Sequence, residues 1–375
     1  MNYAHPWRFG RSRSLLLATL AALLFAAPSA MAAAQQPKPA GSDNLVFIPA
    51  TDPAFTYIGR WGELSTGTGV AMATVNSSSQ AYIAFSGSVA YGDFDVRHVS
   101  FMAQIAVRVD DGPWRLITID RPQIQLCAQL SKGTHQLEIA IKDVDERGNR
   151  WFPPFASAVV FEGLEIAPQA ILSAVSLPPA PTLAFLGDSI TQGVRVMGMQ
   201  IGVTGSNALE SYAWLAGEEL HTRHYQVAFG RQGVLRTGNG DVPPATLAFG
   251  WNFAGSPANE PAPDFLVLNQ GTNDQRYPPR EYLQGLLGYL KEIRAYYPHT
   301  VIFVLRPFGG FHSASTQQAV MLMHDPRIHY VDTTNWLKPS DYRDGVHPNR
   351  RGSEIAAQKL EAVLSPYIKA WKTQP

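Results

Sequence analysis

A single cysteine, Cys127, stands in 375 residues, so no disulfide can form within the chain and a disulfide-stapled secreted scaffold is excluded. Neither sign of charge is in excess. Lys and Arg total 30 against 30 Asp and Glu, which leaves no basic field for a nucleic-acid backbone. Beyond residue 34, no stretch approaches the roughly 20 consecutive apolar residues of a membrane span. Gly-x-x-x-x-Gly-Lys-Ser/Thr and Gly-x-Gly-x-x-Gly are both missing, and with them the usual cradles for nucleotide phosphates, so no cofactor is implied. The lack of a Gly-x-Ser-x-Gly elbow sets aside the ordinary α/β-hydrolase. His221 and His224 sit three apart without a third ligand in reach, so no metal is implied either. What is present, 45% hydrophobic residues with 31 Gly and 28 Pro, is the composition of a folded globular protein, and the length suits two domains.

Residues 1–34 read as a secretory signal peptide: His5, Arg8, Arg11 and Arg13, then an apolar run over 15–27, then the small-residue site Ala30-Met31-Ala32. Cleavage after Ala32 removes three arginines and no acid, leaving 27 cationic against 30 acidic residues and a net charge of −3. The competing reading is an uncleaved N-terminal anchor. A linker at 35–42 leads into 43–170, where short β-rich runs at 81–85, 103–109, 115–119, 135–141 and 159–166 are separated by turns such as Asp111-Gly112-Pro113. This pattern predicts an antiparallel β-sandwich or jelly roll. Cys127, in the alternating segment 123–127, is expected to be a small buried hydrophobe.

A Pro-rich linker at 171–181 marks a change of period. From 182 to 375, apolar strand runs at 183–186, 225–229, 265–269, 301–305 and 329–332 alternate with helical stretches at 209–220, 280–297, 315–323 and from 349. Leu283, Leu286, Leu287, Leu290 and Ile293 form one apolar stripe. The expected fold is a parallel α/β sheet with helices on both faces, whose chemistry should lie just beyond the carboxyl ends of the strands.

Three strand ends carry suggestive residues. Gly187-Asp188-Ser189 places a serine between strand and helix, as a nucleophile or, alternatively, as an N-cap. Asp344-Gly345-Val346-His347 offers a base with a carboxylate three residues before it. Asn273, in Gly271-Thr272-Asn273-Asp274, and the glycines of Gly230-Arg231-Gln232-Gly233 are candidate donors to an oxyanion. Asp188 and Asp274 read as turn-forming residues.

In order and placement these four blocks closely resemble the signature blocks of the SGNH (GDSL-type) hydrolases, over about residues 182–370. The resemblance implies Ser189 as nucleophile, His347 as base, Asp344 as its orienter, and Ser189, Gly233 and Asn273 as the oxyanion hole, with Gly230 the alternative to Gly233. It also implies a flavodoxin-like SGNH sheet that needs neither metal nor cofactor. Thr56-Tyr57-Ile58-Gly59-Arg60-Trp61, Ala84-Phe85-Ser86-Gly87 and Gly133-Thr134-His135-Gln136-Leu137 resemble the jelly-roll half of carbohydrate esterase family 2. That family removes O-acetyl groups from polysaccharides such as xylan and glucomannan, so the implied partner is an acetylated carbohydrate.

The long segment 233–263, rich in Gly, Pro and Asn, is expected to wall the cleft. Trp251 within it, with Phe308 and Trp336, are candidate substrate-binding aromatics. Trp61, Trp114 and Trp151 would lie exposed on one face if the β-domain bound polysaccharide. Two other functions stay open: a lipid or aryl esterase or thioesterase of the same superfamily, and a non-catalytic carbohydrate-binding protein.

Overall fold

Short alternating strands cannot bury a face alone, and here they pair into two six-stranded antiparallel sheets. One sheet runs Gly62–Ser65, Val70–Thr74, Val159–Ile166, Ala90–Phe94, Gln123–Cys127, with Val46–Pro49 also on Val159–Ile166. The other runs Leu172–Ser173, Gln80–Ser86, Thr134–Asp143, Gln104–Val109, Arg115–Thr118, with Thr56–Ile58 also on Gln80–Ser86. Phe85, Ile105 and Leu137 of one sheet meet Phe94, Leu126 and Phe161 of the other in one core. Cys127 packs there as a hydrophobe, and burial pushes its thiol up to about 11. The structure, a computed structural model, describes residues 44–372; the expected signal peptide and the linker at 35–42 lie outside them.

Five parallel strands follow: β1 (Thr182–Gly187), β2 (Arg223–Ala228), β3 (Phe265–Asn269), β4 (Val301–Leu305) and β5 (Ile328–Val331). Their order is β2-β1-β3-β4-β5. The helices that bear on the sheet and the site are α1 (Ser189–Gln192), α2 (Tyr212–Glu219), α3 (Pro279–Tyr296), α4 (Ser313–Met323) and α5 (Arg350–Lys372), with a further short turn of helix at Ala245–Ala248. Successive strand residues point to opposite faces. Leu183 and Phe185 therefore pack with Tyr212 and Ala216 of α2 and Leu360 and Leu364 of α5, while Ala184 and Leu186 pack with Leu286 and Leu290 of α3 and Ala319 of α4. The stripe on α3 is turned slightly from the expected one: Tyr282 and Tyr289 are buried in it, and Leu287 is only half-buried. The strand order reverses between β1 and β3, β2 being added on one side of β1 and β3 to β5 on the other, which opens a crevice at their carboxyl ends.

The sandwich and the α/β layers share a core. Trp151 packs edge-on against Phe229 (6.2 Å between centroids), and Phe155 against Phe253 (5.1 Å).

Candidate active site

β1 ends in Gly187 because nothing larger fits: a Cβ there would lie 2.0 Å from the Thr191 hydroxyl. The chain then turns into α1, whose cap is Asp188, not Ser189. Asp188 Oδ1 accepts the Ile190 N–H at 2.9 Å. The N-cap reading of Ser189 is thereby excluded, and its hydroxyl is left to meet His347 Nε2 at 2.9 Å.

His347 comes from the loop ahead of α5. Its Nδ1 lies 2.9 Å from Asp344 Oδ2, and Asp344 Oδ1 accepts the main-chain N–H groups of Val346 (3.1 Å) and His347 (2.8 Å). A carboxylate can only accept, so Nδ1 carries the ring proton and Nε2 is free to take one from Ser189. Arg195 Nη1 also donates to Asp344 Oδ2. No motif pointed to this arginine, which lies just past the left-handed Gly193 that ends α1. Burial alone would raise the Asp344 carboxyl. Hydrogen bonds from the His347 N–H, the His347 ring and Arg195 outweigh it and hold the carboxyl well below the usual carboxylate range.

Asn273 follows β3 in a single 3₁₀ turn, Thr272–Asp274. Its Nδ2 donates to the Gln232 carbonyl at 3.0 Å and, more loosely, to Asp188 Oδ2 at 3.3 Å. Asp274 ties the same turn to the loop after β2, each of its oxygens accepting one N–H, from Val234 and Leu235, at 2.9 Å. Both acids thus build turns, as expected. Burial pushes the Asp188 carboxyl up to about 7.

The glycines of the β2 loop do not serve as expected. The Gly233 N–H donates to the Arg236 carbonyl at 2.9 Å, and the Gly230 N–H to Gln192 Oε1 at 2.8 Å, so neither is available to an oxyanion. Gly233 is a glycine for room: a Cβ would stand 2.4 Å from the Asp274 carboxylate. Between them, Arg231 adopts a positive φ of 64°, and its N–H makes no hydrogen bond among the described residues. That conformation is uncommon for a residue with a Cβ, and no motif in Gly230-Arg231-Gln232-Gly233 points to it.

The aromatic residues require larger corrections. Trp251 is not in the cleft. Its carbonyl accepts from Arg60 at 2.9 Å, and its neighbour Phe249 packs on Tyr296 and Tyr297. Those tyrosines end α3, whose start lies just past Asn273, so Trp251 sits toward the amino ends of the strands and away from Ser189. Only the first part of 233–263 stays near the site, where the Asn239 N–H donates to Gly230 and Gln232 Nε2 to Pro243. Phe308 is buried between Tyr212 (5.2 Å) and Trp336 (6.3 Å), so it presents no face to a sugar; Trp336 beside it is partly exposed. Trp61 and Trp151 are buried, and Trp114 is covered by Arg108 and Trp214, so these three form no exposed aromatic platform.

The sandwich reaches the site through one loop that sequence reasoning missed. Gln192, three residues after Ser189, donates to Asp143 Oδ1 at 3.1 Å, and its Oε1 lies 3.4 Å from the buried Arg150 guanidinium while accepting from Gly230. Gln192 thus joins α1, the β2 loop and the sandwich. Only its place in Gly187-Asp188-Ser189-Ile190-Thr191-Gln192 could have drawn attention to it.

Residues 185–355 match the GDSL-like Lipase/Acylhydrolase family, and the described chain has the fold of family two carbohydrate esterases. Over 284 residues, 69% of this chain and 75% of the other, it is 25% identical to an acetylxylan esterase / glucomannan deacetylase of Cellvibrio japonicus (strain Ueda107). A family two carbohydrate esterase from Cellvibrio japonicus superposes with a TM-score of 0.73 at 20% identity, covering 87% of this chain and 98% of that one. One from Clostridium thermocellum in complex with cellohexaose gives 0.70 at 19%, covering 84% and 99%.

Proposed function

We propose that this chain is a secreted serine esterase that removes O-acetyl groups from carbohydrate, of the acetylxylan or glucomannan type, through an acetyl-enzyme. It is a carboxylic ester hydrolase. The observation that carries the reading is the chain of contacts from Ser189 Oγ through His347 to Asp344, each link 2.9 Å, at the carboxyl edge of the sheet. The acetylxylan esterase relative supports the substrate class.

His347 Nε2 takes the Ser189 proton as Oγ attacks the acetyl carbonyl, while Asp344 holds the ring and balances the imidazolium. The oxyanion lies at the N–H groups of Ser189 and Arg231 and at Asn273 Nδ2, which yields its loose 3.3 Å bond to Asp188. Arg231 replaces Gly233 in that role because its N–H is uncommitted. His347 then protonates the departing sugar hydroxyl, and water, activated by the same base, releases acetate from Ser189.

The test is acetate release from acetylated xylan and from an aryl acetate by purified protein and by Ser189→Ala. Release from both that vanishes in the variant is the expected result. Cleavage of the aryl ester alone would reduce the reading to a general esterase, and no release by folded protein would refute it.

A further inference from the structure

Arginines elsewhere in the described chain are engaged. They pair with carboxylates, as Arg60 does with Glu260 and Arg294 with Asp325, or donate to main-chain carbonyls, as Arg150 and Arg343 do. The least engaged gather where the chain leaves β2 and β3: Arg231 and Arg236 in the loop after β2, Arg276 in the loop after β3 and Arg280 in the first turn of α3. Arg236 Nη1 reaches only the Asn273 carbonyl, at 3.4 Å, and its Nε is buried without a partner. The Arg276 guanidinium lies 5.0 Å from the centroid of the Tyr277 ring and donates to the Tyr277 hydroxyl at 2.9 Å. That hydroxyl donates in turn to the Leu235 carbonyl at 3.2 Å, which sets Arg276 beside Arg236.

These charges face one another with little to offset them. Burial and then the charges of Arg231 and Arg276 weaken the hold of Arg236 on its proton. The carboxylate that faces Arg236, Asp274, is already taken up by the Val234 and Leu235 N–H groups. Glu146 lies against Gly230 but acts on Arg147 and Arg150. A cluster of like charges with no hydrogen-bonded carboxylate among its side-chain partners is relieved when an anion enters, and the guanidinium fork matches a carboxylate in two parallel hydrogen bonds.

We propose that the acetylated carbohydrate this site accepts is acidic, carrying uronate carboxylates near the acetyl ester, and that Arg236 and Arg276, with Arg231, select it. The inference rests on the acetylesterase reading and narrows its substrate. The test compares acetylated oligosaccharides that carry uronate with the same oligosaccharides after their carboxyls are reduced to alcohols. The acidic form should be preferred on the order of tenfold in kcat/KM at low ionic strength, with the preference shrinking as salt is added. In Arg276→Gln the ratio of the two should fall toward one. Arg276 is exposed, and Arg231→Gln, which keeps its main-chain N–H, is the second variant. Equal rates on both oligosaccharides overturn the acidic preference alone, and release from neither overturns the acetylesterase reading with it. A preference indifferent to salt and to both substitutions also overturns the assignment.

Discussion

Replacing Asp344 by Asn isolates what the carboxylate does. Its Oδ1 position accepts two main-chain N–H groups, from Val346 at 3.1 Å and His347 at 2.8 Å, so an amide at 344 must keep its oxygen there. The NH₂ then falls where Oδ2 stood, 2.9 Å from His347 Nδ1 and facing Arg195 Nη1. Donor would confront donor. The imidazole escapes by moving its proton to Nε2, and that nitrogen, 2.9 Å from Ser189 Oγ, can no longer accept. Imposing the wrong tautomer on a serine triad costs about 10⁴-fold in kcat, or roughly 5.5 kcal/mol of barrier. Asp344→Ala imposes no tautomer and leaves Nδ1 to water, so it should be the faster of the two variants. Steady-state hydrolysis of 4-nitrophenyl acetate near pH 7, with melting curves to show that both variants are folded, decides. An Asn variant within tenfold of the parent, or faster than the Ala variant, would refute the reasoning.

Asn273→Ala should lower kcat on the order of 10²- to 10³-fold with little change in KM, and a loss under threefold would remove Asn273 from the oxyanion site. Gly233→Ala drives a Cβ to 2.4 Å from the Asp274 carboxylate, so both Tm and activity should fall; a variant as stable and active as the parent would mean the turn has slack. The Asp143 carboxyl, with Oδ2 buried and unpartnered, is pushed by burial from 3.8 up to about 7. The folded chain therefore keeps this proton to a higher pH than the unfolded chain, and the group costs stability as pH climbs from about 4 through 7. Tm measured between pH 4 and 8 should show Asp143→Asn gaining on the parent as pH rises, and a gap independent of pH would contradict this.

The α/β half was legible because its signals are local. Runs such as 265–268 are unbroken and apolar, and the residues proposed for the chemistry, Ser189 and Asn273, follow within about one turn of a strand end. His347 and Asp344 could be paired because they lie three positions apart. In the sandwich, the longer alternating runs showed, but Val46–Pro49, Thr56–Ile58 and Gly62–Ser65 have only three or four residues each and gain their partners from strands far along the chain. The errors share a cause. Whether an N–H is free depends on where the chain goes next, so Gly233 looked open until its loop folded back onto the Arg236 carbonyl. Trp251 looked close to the site by sequence, yet the hairpin that carries it runs toward the amino ends of the strands, where Arg60 and Glu260 hold that region. Arg195 and Gln192 act across the fold, on Asp344 and on Asp143 and Gly230, and no spacing in the sequence announces such contacts.

The shared core determines how this molecule can be divided. Trp151 and Phe155, from the first half of the chain, fill the space behind Phe229 and Phe253 in the second. The prolines near 178–181 therefore mark a change of architecture without marking a seam, since a cut there would leave both pieces with bare aromatic surface and part Gln192 from Asp143 and Arg150. Fused to another protein, the chain must be carried from before its first strand to beyond its last helix, and on heating it should lose both halves in a single cooperative transition.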